Sequence, residues 1–151
     1  MERANLRLTL VRRIVPTLQI GVEYNPLVAE VAPLATWFVL AEKGVRPTVF
    51  LGTSADRIGS PEGTHTYYAT ASHNVGDLPV SVYGTVGYSE WDDEWKVPFG
   101  GYFEVVPGVS VQPMYDGERT HLLANYAHDR WSASLLWVWL ESAGVSVAFG
   151  W

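Results

Sequence analysis

The chain contains no cysteine among its 151 residues. A disulfide framework, a thiolate metal site and a cysteine nucleophile are therefore excluded. Charged residues are also scarce, because they make up 17% of the sequence where a soluble domain averages about 25%. No apolar run approaches the roughly 20 residues that a transmembrane helix needs. The length and the net charge of −6 predict a single domain, residues 1–151, and argue against nucleic acid as a partner.

Aromatic residues, by contrast, reach 13%, and apolar and polar side chains alternate along most of the chain. Alternation with period two is typical of a β-strand whose two faces differ. Turn signals separate eleven such runs and predict an all-β fold, an antiparallel up-and-down meander with short turns. The runs are Leu6–Arg13, Thr17–Asn25, Ala35–Glu42, Thr48–Ala55, Thr66–His73, Leu78–Ser89, Val97–Val106, Val109–Tyr115, His121–His128, Trp131–Leu140 and Gly144–Trp151.

The last run ends the sequence on an aromatic residue. Val145, Val147, Phe149 and Trp151 share one face, and small or weakly polar residues occupy the other. In water such an apolar edge strand invites aggregation. In a membrane β-barrel the same strand can close the barrel and place its final aromatic residue at the bilayer interface.

Tyrosine and tryptophan gather near the predicted strand ends. We take consecutive strands as antiparallel. End A is defined as the end of the sheet that carries Trp151, and end B is the opposite end. Aromatic residues on the apolar faces then form one group at each end, as in an interfacial girdle; ordinary core aromatics are the alternative. The interfacial candidates are Tyr24, Trp37, Tyr67, Tyr88, Tyr115, Trp131, Trp139 and Trp151. Connections at end A are mainly basic and those at end B mainly acidic.

With its closing strand, its strands of roughly ten residues and its aromatic groups, the chain resembles a bacterial outer-membrane β-barrel. The resemblance covers the whole chain as a pattern and implies a transmembrane barrel of about ten to twelve strands. It also implies location in a bacterial outer membrane, the lipid bilayer as partner, and contact of the C-terminal strand with the outer-membrane assembly machinery. End A would then face the periplasm. Residues 1–5 carry no apolar export leader, so we expect a mature or trimmed chain.

The number of strands stays open at this point, because barrels of this class have an even number of strands. One solution reads Leu6–Asn25 as a single long strand and gives ten, although Pro16 favours a turn there. The other adds a short strand at Leu27–Val31, or one before the first run, and gives twelve.

Polar residues inside the strands are the candidates for the inner face of such a barrel. They lie at the same alternate strand positions as the small residues, and therefore on the same face. There they would line a narrow pore, or pair with one another across a filled lumen. The candidates are Arg7, Gln19, Glu23, Ser81, Thr85, Tyr102, Glu104 and Gln112. A barrel of this size leaves at most a narrow lumen, since wide channels need about sixteen strands or more.

Two other groups of residues could support catalysis or metal binding. His121, His128, Asp129 and Ser132 lie near one another in sequence, but a catalytic triad needs hydrogen-bond contact, and His128 and Asp129 are predicted on opposite strand faces. The acidic loop Glu90–Trp95 offers Asp92, Asp93 and Glu94 as weak ligands for a divalent cation, yet it lacks the calcium-loop spacing. We expect no catalytic residues, no cofactor and no resident metal.

Three functions follow in order of preference. The first is a narrow passive pore or structural barrel in the outer membrane. The second is a lipid-modifying barrel enzyme. The third is a soluble β-barrel that binds an apolar ligand, and it predicts that Leu18, Ile20, Val82 and Val111 line a dry interior.

Overall fold

The computed structural model of the chain describes residues 7–26, 28–56 and 60–149, so the predicted interfacial Trp151 lies outside the described residues. Twelve β-strands are present among them: β1 Leu8–Val15, β2 Leu18–Asn25, β3 Glu30–Leu40, β4 Thr48–Ala55, β5 His65–Asn74, β6 Val80–Ser89, β7 Glu94–Lys96, β8 Phe99–Val106, β9 Val109–Tyr115, β10 Thr120–His128, β11 Trp131–Val138 and β12 Ser142–Phe149. None of the described residues forms a helix long and apolar enough to cross a bilayer.

Strand order follows the chain. Each strand pairs with the next one, except that β8 pairs with β6 and not with β7, which itself pairs with β6. The described ladders are antiparallel. The predicted all-β antiparallel meander is therefore confirmed, with a strand number inside the predicted range. Closure of this meander into a barrel stays a prediction.

The ten-strand solution is wrong, whereas the count of twelve agrees with the described residues, although not through a strand at Leu27–Val31. A strand before the first run would lie outside the described residues. Leu6–Asn25 is not one strand, because Arg13 pairs with Gln19 across the turn at Pro16 and Thr17. Proline supplies no ladder hydrogen bond and sets the φ that a turn needs. No separate strand occupies the described part of Leu27–Val31, since β3 already begins at Glu30. The twelfth strand is β7, which begins within the predicted acidic loop Glu90–Trp95.

The last hairpin also differs from expectation. The sequence predicted one strand up to Leu140 and the next from Gly144, but β11 ends at Val138 and β12 begins at Ser142. Trp139 and Leu140 form the turn with positive φ values of 55° and 58°. Trp139 therefore lies in a turn, and not on the strand where it was predicted to join the interfacial aromatic residues.

The fold divides into two compact units, and each shows the same sidedness. Unit 1 contains the residues up to Ala71 together with Thr85–Lys96. Its ladders set Leu10 against Val22 on one face and Thr9 against Glu23 on the other. Leu10 is 54% exposed and Val22 43%, whereas Glu23 is only 6% exposed. The apolar face of these strands is therefore the accessible one.

Unit 2 contains Ser72–Gly84 and the residues from Val97 onward. Leu135 pairs with Val145 on the apolar face, and these side chains are 58% and 76% exposed. Ser110, opposite Asn125 on the polar face, is 2% exposed. Across the described residues of both units, the only buried apolar side chains are those of Ala32 and Ala55. Burial of apolar side chains inside the protein, the usual driving force of folding, is thus nearly absent here.

Close strand packing makes one glycine necessary. A Cβ at Gly21 on β2 would lie far inside contact distance of the Leu10 carbonyl oxygen on β1. Because that oxygen belongs to the backbone, it cannot move without disturbing the ladder.

Gly21→Ala should therefore destabilise the fold by roughly 1–3 kcal/mol, the usual cost of overpacking. Gly84→Ala is the matched control, since a Cβ there meets open space. Urea unfolding followed by tryptophan fluorescence measures both. Equal unfolding midpoints for the two variants would contradict the β1–β2 packing.

Candidate functional site

A carboxylate buried at the end of β4 organises the polar face of unit 1. Asp56 is 2% exposed. Its Oδ1 accepts a hydrogen bond from Thr66 Oγ1 at 2.9 Å, and its Oδ2 accepts one from Ser89 Oγ at 2.7 Å. The Trp91 amide donates to the same Oδ2 at 3.3 Å. Three neutral donors therefore replace the hydrogen bonds to water that the carboxylate loses when it is buried.

A second carboxylate lies beside it on β2. Arg7 donates from Nη1 to Glu23 Oε1 at 3.1 Å, and the Ala55 amide donates to Glu23 Oε2 at 2.8 Å. The other Arg7 nitrogen, Nη2, donates to the Asp56 carbonyl oxygen at 3.2 Å. The guanidinium group thus connects β2 to the end of β4. We call Arg7, Glu23, Asp56, Thr66 and Ser89 the polar network; Glu23, Asp56 and Ser89 are buried, Thr66 is half-buried and Arg7 is exposed.

Aromatic rings continue the polar face of unit 1 beyond this network. The rings of Phe38 and Phe50 are 5.6 Å apart between centroids, and Phe50 meets Tyr68 edge to face at 6.4 Å. Gly52 lies under Tyr68, where a Cβ would collide with the phenol ring. These side chains fill space on the polar face and leave the charged groups at one end of it.

The polar face of unit 2 is built from uncharged groups for the most part. Tyr83 is hydrogen-bonded to Gln112 and lies over Gly100. Asn125 donates from Nδ2 to Ser110 Oγ at 3.3 Å. Glu104 lies opposite Ser110 in the ladder and accepts a hydrogen bond from the Gly108 amide at 3.1 Å.

The predicted pore-lining residues are found on these polar faces, but only some of them touch. Arg7 and Glu23 form an ion pair. Thr85 shares a hydrogen bond with Thr70 at 2.8 Å, and Ser81 lies opposite Tyr102 in the β6–β8 ladder. Gln19, Gln112 and Ser81 are half-buried, while Tyr102 and Glu104 are exposed. The residues are therefore spread along the polar faces rather than gathered at one site.

The predicted interfacial aromatics have varied surroundings. Trp37 and Tyr67 are more exposed than Tyr24, and Trp131 contacts Tyr126. Tyr115 contacts Phe99, and Tyr88 contacts Trp95. Trp139 lies under the guanidinium group of Arg119, 4.6 Å from Arg119 Cζ to the ring centroid.

The acidic segment after β6 is the turn of a hairpin. Asp92 pairs with Lys96, Asp93 accepts a hydrogen bond from the Tyr88 hydroxyl at 2.5 Å, and Glu94 lies opposite Ser89. The three weak metal candidates therefore have separate partners. Within the described ranges, no group of three or more histidine, cysteine, aspartate or glutamate side chains could hold a metal ion.

Glu90 precedes these residues and fixes the hairpin to β5. Its carboxylate accepts the His65 amide at 2.8 Å and the Tyr67 hydroxyl at 2.9 Å. The pKa of Glu90 is lowered, first by the His65 amide and then by the Tyr67 hydroxyl, because both hydrogen bonds favour the ionised form.

The histidines do not assemble a hydrolytic triad. His128 contacts Asp129 at 3.1 Å, and the predicted placement of these two on opposite strand faces is wrong, because Asp129 has a φ of 50° in a turn. Ser132 lies opposite Ala127 and Ala148 in its ladders. His121 instead pairs with Asp116 at 2.7 Å. Neither histidine is hydrogen-bonded to a serine hydroxyl of the described residues, a contact that a triad uses.

Asp116 holds together the connection between β9 and β10. Its Oδ1 accepts the amides of Glu118 and Arg119, each at 2.8 Å, and its Oδ2 accepts Trp139 Nε1 at 3.4 Å in addition to His121. Partial burial opposes ionisation of Asp116, but the hydrogen bonds from Arg119, His121, Glu118 and Trp139 outweigh it and lower the pKa of the carboxyl.

Sequence reasoning identified the Arg7 and Glu23 charges but missed Asp56 and Asp116. Both were assigned to connecting loops. The one available signal for Asp56 was parity, because it continues the alternation Phe50, Gly52, Ser54 beyond the end of β4.

Comparison with protein-family models, with curated proteins and with solved structures found no match for this chain.

Asp56→Ala should lower the free energy of unfolding by roughly 3–5 kcal/mol, because it leaves two hydroxyls and an amide without their acceptor. Asp56→Asn should cost less, since the hydroxyls of Thr66 and Ser89 can turn to bond either amide atom. The control is Asp77→Ala in an exposed turn, expected within about 0.5 kcal/mol of the parent. A loss for Asp56→Ala no larger than that of the control, measured by urea unfolding, would contradict the network.

The lowered pKa of Asp116 predicts a stability difference with a definite sign. Because its folded pKa lies below its unfolded value, the carboxylate stabilises the fold above about pH 4 and loses this effect as the pH falls through the folded pKa. The stability difference between the parent and Asp116→Asn should therefore shrink on acidification. Unfolding curves at a series of acid pH values measure it, and the His121→Gln background separates the carboxyl from the imidazole. A difference that grows toward low pH would refute the assignment.

Proposed function

We propose that the chain is a small β-barrel that spans a bacterial outer membrane, with apolar side chains toward lipid and polar side chains toward the interior. Its role is that of a structural barrel or a narrow passive pore. The observation that carries this proposal is the sidedness of each unit, in which aliphatic faces are exposed and polar groups are buried.

The magnitude of that exposure supports a lipid surround. Fully burying a valine, leucine or phenylalanine side chain is worth about 1.5–3 kcal/mol relative to exposure in water. Exposed large apolar residues occur on nearly every strand of both units, while the largest apolar patch of an ordinary soluble monomer is about 300–600 Å². Hydrocarbon removes this cost without any internal core.

Exposure weighs against the soluble-barrel alternative. That alternative requires Leu18, Ile20, Val82 and Val111 inside, yet Ile20 and Val82 are 44% and 45% exposed. Glu23 and Asp56, which it would place at the surface, are buried.

The side chains on the polar faces favour a filled interior over an open channel. Tyr68 covers Gly52 in unit 1 and Tyr83 covers Gly100 in unit 2. Arg7 and Glu23 pair with each other, and hydroxyl groups occupy the Asp56 carboxylate. The lipid-modifying alternative has the Asp116–His121 pair in its favour, but no described serine hydroxyl bonds to that histidine, so a structural barrel or a low-conductance pore fits better.

Insertion into lipid tests the proposal. The urea-unfolded chain should fold on dilution into phosphatidylcholine vesicles, resist protease there, and aggregate in buffer without lipid or detergent. Val22→Lys should weaken folding in vesicles by about 2–4 kcal/mol, as a lysine on the lipid face near the bilayer centre does. Gln19→Lys, on the polar face of the same strand, is the matched control and should fold nearly as the parent does.

A folded, monomeric protein in buffer free of lipid and detergent would overturn the membrane assignment. Equal losses for Val22→Lys and Gln19→Lys would overturn the assignment of the two faces. Conductance across planar bilayers then separates a narrow pore from a structural barrel, and the filled polar faces predict small currents or none.

A further inference from the structure

Four basic side chains lie at one end of unit 1. Arg12 and Arg13 are near the end of β1, and Lys43 and Arg46 close the hairpin between β3 and β4. The β1–β2 turn lies beside β3, because the Phe38 amide donates to the Thr17 carbonyl at 2.8 Å. We call Arg12, Arg13, Lys43 and Arg46 the basic cluster.

The hairpin carries its two basic residues well beyond the β1–β2 turn. Four residues separate Phe38 from Lys43, which allows at most roughly 16 Å of extended chain between the two Cα atoms. Lys43 and Arg46 exchange backbone hydrogen bonds of 3.0 and 3.1 Å. Between them Gly44 has a φ of 60° and Val45 is 95% exposed. An apolar side chain therefore forms the tip of the hairpin, with a cation on each side.

The four cations are available to an external anion. All four residues are exposed, and none forms an ion pair with a carboxylate of the described residues. Arg46 Nε donates to the Ala41 carbonyl oxygen at 3.2 Å, which orients the guanidinium group without neutralising it. The guanidinium group of Arg13 lies 5.4 Å above the Phe38 ring and keeps its charge as well.

Exposed aliphatic residues lie next to the cluster. Ile14 and Val15 follow Arg13 in β1, and Val39 and Leu40 end β3; all four are at least 40% exposed. Basic groups next to apolar side chains match the boundary of a membrane, where long basic side chains keep their charge at the headgroups while their neighbours enter hydrocarbon.

We propose that the basic cluster binds the headgroups of anionic phospholipids in the leaflet at this end of unit 1. The inference rests on the proposed membrane location and adds the lipid class to it. A lipid surface fits better than a free phosphate ion, because the cations are distributed over two turns at different heights and do not converge on one point. Each basic residue near an anionic membrane surface changes binding by roughly fivefold.

Quenching of tryptophan fluorescence by brominated lipids measures which lipid surrounds the inserted protein. Phosphatidylcholine vesicles receive either brominated phosphatidylglycerol or brominated phosphatidylcholine. The parent should prefer phosphatidylglycerol by well over fivefold, and Lys43→Gln/Arg46→Gln should lower that preference by about fivefold or more, while Arg12 and Arg13 retain part of it. Arg46→Gln alone should give a partial loss. Its matched control is Arg119→Gln in the β9–β10 connection, beside Glu141 and Trp139, and it should keep the parental preference.

The possible outcomes distinguish the lipid site from the proposed membrane location on which it rests. Failure to insert into phosphatidylcholine vesicles overturns both. Insertion without a phosphatidylglycerol preference, or a preference that Arg119→Gln removes as strongly as Arg46→Gln, overturns the lipid site alone. Loss of the preference in inorganic phosphate, but not in sodium chloride of equal ionic strength, would assign the cluster to free phosphate instead.

Discussion

The alternation of side chains in register is the constraint on which the rest of this structure depends. Every described ladder is antiparallel, so a residue on the apolar face faces an apolar residue of the next strand. A shift of one residue in the β1–β2 ladder would exchange the faces of one strand relative to the other. Glu23 would then meet the surroundings of Leu10, and the Arg7 contact would be lost. The register therefore determines which face of the sheet is apolar and which groups can form hydrogen bonds to the charged side chains.

Hydrogen-bonded polar groups connect the strands within each unit, a role that packed aliphatic side chains have in the core of a soluble protein. The two buried carboxylates are satisfied in different ways: Glu23 by a guanidinium group and an amide, Asp56 by two hydroxyls and an amide. Asp56 thereby connects residues distant in sequence, from the end of β4 to β5, β6 and the turn before β7. A buried network of this kind specifies one arrangement of strands, because a partly satisfied one would cost more than none.

Much of the fold was accessible from the sequence, because alternation is a local property. The bounds of β4 and β9 match the predicted runs Thr48–Ala55 and Val109–Tyr115, and the polar-face placement of Arg7 and Glu23 followed from parity. The misses have non-local causes. Three-residue β7 has too little pattern to be recognised and exists through its pairing with β6. The donors of Asp56 come from segments that only the folded meander brings together, and Trp139 and Leu140 gave no glycine or asparagine signal for a turn.

That last hairpin distributes its energy unevenly. Bulky residues with positive φ are strained, at of order 1–3 kcal/mol each, and Trp139 and Leu140 are adjacent. An Asn-Gly bend would favour a hairpin by itself, whereas this bend opposes it. The cross-strand pairs from Trp131–Phe149 to Leu135–Val145 must therefore outweigh the strain of the turn, so the turn conformation depends on the ladder that it connects.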